Sequence, residues 1–339
     1  METKIIEVKR GKDIPEIAGV AGMLREGALV AFPTETVYGL GVAADRDDSV
    51  RKVFQVKGRS SMNPLTLHLP SVDLIGRYVK KIPEDAVKLI DKFLPGPLML
   101  LCEKTDSISD LVTSGSQKVG IRVPRNSIAT ALLGACETPV VATSANISGR
   151  FSPVTSSHVI EEMRGRIDAI ITCPDEEALG IESTIIDVTS NPFRIARSGF
   201  VTQEEISRVL GFSPMLSNDN HSTHFEKFSS SLRIILIEGD SERVIRKMPA
   251  LAGTFPPECR TGFLLTEESA SRLGAGHPVK VMGSRRDMEG IARNLFSQLR
   301  AFEHEEMTVV LVEAITKDGL GWAIMERLVR SAAEIMKAD

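Results

Sequence analysis

The stretch from Phe212 to Ser231, FSPMLSNDNHSTHFEKFSSS, limits what this 339-residue chain can fold into more than any other feature. It holds six serines and two asparagines, and neither a helical nor a strand period runs through it. Strongly patterned segments flank it, so it reads as a linker and the chain as two cores rather than one. Upstream, Thr202-Gln-Glu-Glu205 has the form of a capping box, Ile206, Val209 and Leu210 give an apolar face, and Gly211 stops the helix. Downstream, Leu232-Arg-Ile-Ile-Leu-Ile237 reads as a buried strand. The expected organisation is a domain over 1–211, a linker over 212–231 and a domain over 232–339.

The second region alternates cleanly, with strands at about 233–238, 262–265, 278–282 and 307–313 separated by helical stretches. Over 286–302, Met288, Ile291, Ala292, Leu295, Leu299 and Phe302 share one helix face. Such alternation predicts a small Rossmann-like parallel α/β domain. Its first turn, Glu238-Gly-Asp240, lacks a dinucleotide fingerprint. The first region is denser. Strands are expected at Ala28–Phe32, Leu65–Leu69, Leu98–Cys102, Val119–Val123, Val140–Thr143, Ala169–Thr172 and Thr184–Val188. Helices are expected over about 13–26, 48–57, 84–93, 126–134 and 155–164. Strands so closely spaced predict a mixed, twisted α/β sheet rather than a doubly wound one.

Balanced charge, 41 Lys+Arg against 45 Asp+Glu, argues against a chain whose main business is coating nucleic acid. No apolar run approaches the roughly 18 residues of a membrane span, and the charged start METKIIEVKRGKD is not a signal peptide. The expectation is a cytoplasmic protein. Its four cysteines are too scattered for a zinc knuckle or a disulfide framework.

Polar clusters follow directly on the strands of the first region, where side chains emerge at a sheet edge. They are Pro33-Thr-Glu-Thr-Val-Tyr-Gly-Leu-Gly41, Lys57-Gly-Arg-Ser-Ser-Met-Asn-Pro64 leading to His68, Thr113-Ser-Gly115, Gly120-Ile-Arg-Val-Pro124, Thr143-Ser-Ala-Asn-Ile-Ser-Gly149, Gly180-Ile-Glu-Ser-Thr184 and Arg197-Ser-Gly199. Hydroxyls, glycines and cations dominate, with few carboxylates, and phosphates favour such donors. The second region shows no comparable cluster, so chemistry is expected in the first. No nucleophile elbow, zincin helix or Walker loop is present. Gly39-Leu-Gly-Val-Ala-Ala44 superficially matches a dinucleotide motif but is separated from its strand by a polar turn.

Taken singly, these features have plainer readings. Lys57 and Arg59 fit a helix C-terminus as well as an anion. Arg122 inside a strand requires an anion, which either a ligand or a structural acid supplies. Thr143-Ser144-Ala145-Asn146 also suits a turn and helix cap, and His68 a satisfied core histidine. His221 and His224, alone in the linker, do not make a metal site.

In this order the clusters resemble the YrdC-like family in its two-domain form, the threonylcarbamoyl-AMP synthases. The matching segments are Pro33–Leu40, Lys57-Gly-Arg59 with Asn63-Pro-Leu65 and His68, Leu94-Pro-Gly-Pro97, Gly120–Pro124, Ser144–Gly149 with Ser152-Pro153, Gly180–Thr184 and Arg194-Ile-Ala-Arg197-Ser-Gly199. Gly283-Ser-Arg285, Asn294-Leu-Phe296 and Gly319–Leu328 resemble the family's second domain. The resemblance implies a YrdC-like mixed sheet followed by the Rossmann-like domain. It implies a nucleotidyltransferase that turns L-threonine, bicarbonate and ATP, with Mg²⁺, into threonylcarbamoyl-AMP and pyrophosphate. A separate tRNA threonylcarbamoyl transferase complex would consume the product.

Carried over residue by residue, Lys57 and Arg59 are the catalytic pair on the triphosphate. Thr113, Ser144, Asn146, Ser152 and Arg197 join them on the nucleotide, and Thr34, His68, Arg122, Thr143 and Ser183 frame L-threonine. Two departures stand out. Thr143 occupies a position where relatives carry proline or a small residue. In the linker, which folds over the site in the family, Ser213-Pro-Met-Leu lacks a glycine and Phe225 replaces a tyrosine. The competing readings are a related enzyme with another carbamoyl acceptor and a double-stranded RNA-binding module, and the resemblance is compatible with a weak RNA contact.

Overall fold

Apolar side chains on both faces of the central strands force the first unit to cover its sheet twice. The computed structural model describes residues 2–9, 14–174, 178–216, 228–273 and 276–338. The chain separates into two units, Met1–Ser148 with Ser152–Phe225, and Gly149–Phe151 with Glu226–Asp339. Of the expected linker and lid over 212–231, the part from 217 to 227, with His221, His224 and Phe225, lies outside the described residues.

The strands of the first unit are β1 (Lys4–Glu7), β2 (Val30–Phe32), β3 (Gly39–Ala43), β4 (Thr66–His68), β5 (Leu98–Glu103), β6 (Lys118–Arg122), β7 (Val140–Ser144), β8 (Ala169–Thr172), β9 (Thr184–Asp187), β10 (Arg194–Arg197) and β11 (Met215–Leu216). They form one mixed sheet in the order β1-β8-β2-β3-β7-β4-β6-β5-β9-β10-β11. In β2, Val30 and Phe32 join one core while Ala31 joins the other, the period of two that a strand imposes. The helices Ile14–Arg25 and Ser127–Ala135 cover the Val30 face. The helices Asp47–Lys57, Glu84–Phe93, Ser156–Met163 and Gln203–Leu210 cover the other. Each fully buried Leu, Ile or Phe contributes about 1.5–3 kcal/mol, so a sheet this continuous needs both layers.

The expected mixed sheet is present, with four additional strands in the first unit. β3 is the instructive one. The segment that mimics a dinucleotide motif is an antiparallel strand between β2 and β7. A Cβ on Gly41 would lie 2.8 Å from both Phe32 and Val140, so its glycine serves close packing, not phosphate. β1 is short and largely exposed, β10 is polar at both ends, and β11 is a two-residue pairing inside the expected linker; none carries a legible period.

The second unit is built on β12 (Arg233–Glu238), β13 (Thr261–Thr266), β14 (Val279–Gly283), β15 (Val309–Glu313) and β16 (Glu334–Lys337). All pair in parallel, in the order β14-β13-β15-β12-β16, as the Rossmann-like reading requires. The helix Ser241–Ala252 packs Val244 and Met248 against Ile235, Phe263 and Leu311. The helix Met288–His304 buries Ile291, Ala292, Leu295, Leu299 and Phe302, the face its sequence period marks. Phe151, within this unit, lies 5.4 Å from Phe228 and 5.9 Å from Phe296, ring centre to ring centre.

This unit also holds a polar cluster that the sequence did not reveal. At the carboxyl ends of β13 and β15, Glu313 gathers Thr266, Ser269 and Arg285.

Candidate active site

β2 delivers the chain at Phe32 into the turn Pro33–Tyr38, which returns as β3. This turn runs close to three neighbouring segments. Leu179 N donates to Glu35 O at 2.7 Å, Gly180 N to Thr36 O at 3.2 Å, and Tyr38 N to Pro153 O at 2.8 Å. Ala145 N donates to Tyr38 O at 2.9 Å, and Gly39 and Leu40 lie in register with Ser144 and Thr143. Residues from about 34–38, 143–146, 152–153 and 179–183 are thereby drawn to one place. β4 and β6 add His68 beside Arg122, in parallel register.

Arg122 is 6% exposed and sits against the turn. Its Nη2 donates to Thr36 Oγ1 at 2.7 Å, reaches Thr34 Oγ1 at 3.4 Å, and lies 3.1 Å from Glu35 Oε1. The structural acid and the ligand reading of Arg122 are therefore not exclusive, because the guanidinium meets Glu35 and still keeps a buried Nε without a hydrogen-bond partner. Thr34 holds its own turn, donating to Val37 O at 2.6 Å.

His68 packs edge-on against Phe32 at 6.3 Å. Burial, then the positive charge of Arg122, pushes its pKa down to about 3, so the ring is neutral at physiological pH. Its Nδ1 lies 3.0 Å from Thr66 O, which only accepts. The proton therefore resides on Nδ1, and Nε2 is an acceptor.

Lys57 ends the helix Asp47–Lys57, and Gly58 turns the chain away in the left-handed region at φ 59°. Its side chain does not stay on its own helix end. The Nζ, almost wholly buried, donates to the carbonyls of Ser144 and Asn146, while Ser148 N donates to Lys57 O at 2.8 Å. Burial first, then the adjacent Arg59 charge, holds the Lys57 pKa well below the ordinary lysine range, with Glu162 opposing them. Arg59 braces the next turn through the carbonyls of Asn63 and Pro64, each at 3.2 Å. Thr143 and Ser144 end β7, and no helix follows until Ser156, so the cap reading of that segment does not hold.

The remaining residues form a third edge. Arg197 Nη2 donates to Ser183 O at 2.7 Å and reaches Ser183 Oγ at 3.3 Å. Ser152 Oγ donates to Glu182 Oε1 at 2.7 Å. Gly199 is obligatory, since a Cβ there would lie 2.3 Å from Thr184 N. Thr113 is buried, and its hydroxyl donates to Ser116 O in its own turn, while the neighbouring Val112 O accepts from Leu65 N at 2.9 Å, next to the carbonyls that Arg59 holds.

The expected shortage of carboxylates needs correction. Glu35, Glu162 and Glu182 all enter the site: Glu35 at Arg122, Glu162 accepting from Ile147 N at 2.9 Å, and Glu182 from Ser152. Glu162 had a signal, since it shares the buried helix face of Val159 and Met163. Glu35 and Glu182 had only their place inside the polar turns.

Two family models match the chain. One, described as telomere recombination, covers residues 22–199, and one, described as the C-terminal domain of threonylcarbamoyl-AMP synthase, covers 201–333. The Pyrococcus abyssi threonylcarbamoyl-AMP synthase is 37% identical over 335 residues, 96% of each chain. The Bacillus subtilis one is 35% identical over 327 residues, 94% of this chain and 93% of its own. The crystal structure of P. abyssi Sua5 complexed with L-threonine matches with a TM-score of 0.92 at 35% identity, over 99% of each chain.

Proposed function

The chain belongs to the threonylcarbamoyl-AMP synthase family, and from that premise we propose that it joins L-threonine, bicarbonate and ATP into threonylcarbamoyl-AMP, releasing pyrophosphate. The observation that carries this reading is one turn of chain. Thr34–Tyr38 touches Arg122 through its hydroxyls and pairs with the strand end whose carbonyls hold Lys57. An amino-acid carboxylate on Arg122 and a polyphosphate at Lys57 would then be neighbours.

In this reading the Arg122 fork takes the threonine carboxylate, with Thr34, Thr143, Ser183 and the Nε2 of His68 around the rest of the amino acid. Lys57, Arg59 and Arg197 offset the charge of the triphosphate, and Ser144, Asn146 and Ser152 contact the nucleotide. Thr113 takes a supporting place, its helical turn packing on the helix that ends in Lys57. Amine and bicarbonate combine to a carbamate with loss of water. A carbamate oxygen attacks the α-phosphorus, and the bond to pyrophosphate breaks. Positioning of this kind is worth about 7–11 kcal/mol, more than a typical general base supplies.

Mg²⁺ enters with ATP as part of the substrate. Among the described residues no group of three or more His, Cys, Asp or Glu side chains is placed to hold a metal, and Mg²⁺ commonly relies on substrate phosphates and water. The product would pass to a transferase that modifies tRNA. No described helix is long and apolar enough to cross a membrane.

The test is pyrophosphate release from Mg-ATP and bicarbonate, with L-threonine, with L-serine and with neither. Release that needs both bicarbonate and L-threonine is expected. Release indifferent to the amino acid would overturn the reading.

A further inference from the structure

Glu35 is a buried carboxylate, and among the described residues neither of its oxygens has a hydrogen-bond partner. It is 7% exposed, and Oε1 and Oε2 are both shut off from solvent. Arg122 stands beside it, with Nη2 3.1 Å from Oε1 but directed to Thr36 Oγ1 at 2.7 Å. The buried Nε of Arg122 likewise has no hydrogen-bond partner. A structural arginine–carboxylate pair normally closes as a fork, each charge satisfying the other. This pair balances charge without closing. Buried polar atoms left so are costly and call for a partner.

The charges around the pair narrow what that partner is. His68 is neutral, with its Nδ1 proton directed to Thr66 O. Thr34 and Thr36 bring hydroxyls only. Arg122 and Glu35 therefore bring one positive and one negative charge, which balance. An anion alone would gain Arg122 and be repelled by Glu35. A zwitterion meets both, its carboxylate at the arginine and its ammonium at the glutamate.

We propose that Glu35 receives the α-ammonium of the amino-acid substrate, the counterpart of Arg122 at the carboxylate. The pair neutralises itself in the free protein and is separated by the zwitterion it binds. This places the nitrogen that must react at a fixed point of the pocket. The inference rests on the amino-acid pocket of the proposed function.

The test compares L-threonine with 2,3-dihydroxybutanoate of the same configuration, in which a hydroxyl replaces the ammonium, by calorimetry in the full chain. Wild type should prefer L-threonine. In Glu35→Gln, threonine affinity should fall on the order of tenfold or more, while the anionic hydroxy analogue, relieved of the Glu35 charge, binds as well or better, so the preference collapses. Glu35→Asp, which keeps the charge, should recover part of it, and ATP affinity in the same samples verifies folding. Equal loss of both ligands would overturn the inference and make Glu35 only a brace for Arg122. Equal affinity of wild type for the two ligands would also overturn it. A wild type that binds neither, yet binds ATP, would bring down the amino-acid pocket itself.

Discussion

Glu35 in the first unit and Glu313 in the second are both buried carboxylates near strand ends, and both face an arginine. Their surroundings are opposite. Glu313, 1% exposed, accepts at Oε2 from Thr266 N and Thr266 Oγ1, each at 3.0 Å. Its Oε1 accepts from Ser269 Oγ at 2.8 Å and from Arg285 Nη2. Four donors fill a carboxylate, and nothing remains for a ligand. Glu35 has none. The carboxyl ends of parallel strands are where α/β sheets commonly place ligands, and the second unit assembles polar residues there. Its bonds are closed, so the cluster is a strut. Saturation, more than burial or position, separates a structural charge from a binding one.

The largest effect that sharpens this contrast is on stability. Removing Glu313 as Glu313→Ala leaves Arg285, Thr266 and Ser269 without their acceptor. We expect a loss of about 3 kcal/mol, the lower end for a broken buried pair because Arg285 is partly exposed. Glu35→Gln should cost less, because no hydrogen bond to its oxygens is lost and the amide keeps the volume, although Arg122 loses its counter-charge. Chemical denaturation of both variants, read with their m-values, measures the difference. Comparable losses would erase the distinction between the two sites.

The next effect is on ligand selectivity. Arg122→Lys keeps the charge beside Glu35 but loses the planar fork. Threonine affinity should fall about tenfold or more, while ATP affinity stays within about twofold, as two titrations of one sample would show. Parallel weakening of both ligands would mean that Arg122 supports the fold of the whole site.

Much of this was legible beforehand because the physics is local. The helix Glu84–Phe93 follows from its amphipathic period after Pro83, and its limits agree with the expectation over 84–93. The parallel second sheet follows from strand–helix alternation. β3 escaped because glycines packed under Phe32 leave no β-branched or alternating signal. At the site, the polar turns after strands were visible, and so was the oddity of Arg122 in an apolar strand. The pairings were not. Lys57 meets Ser144 across 87 positions, and Arg122 meets Thr36 across 86, distances over which no period operates. Saturation is likewise invisible in sequence: Glu313 ends an apolar strand much as Arg122 does, and only the count of donors around it shows a strut.

The smallest effect concerns a proton. Lys57 is the cation most deeply buried at the site. Burial and Arg59 hold its pKa well below 10.5, so the free protein loses that proton at a pH where an exposed lysine keeps it. A triphosphate beside Lys57 stabilises the charged form and moves the pKa back up. Between the two values, binding takes up a proton. The sign follows: ATP affinity rises as pH falls through that window, and levels off once Lys57 is protonated without ligand. Calorimetry in HEPES and in Tris, repeated at several pH values above the range of the terminal phosphate of ATP, which titrates at about 6, locates that window. The enthalpies should differ by the uptake of a fraction of a proton, about one at most. Arg59→Gln removes a charge that depresses Lys57, so the window should narrow from its low-pH side even as ATP binds more weakly. Identical enthalpies in the two buffers at every pH would show that Lys57 is charged throughout. The nucleotide side would then be as settled before binding as the Glu313 cluster, leaving Glu35 and Arg122 the incomplete pair.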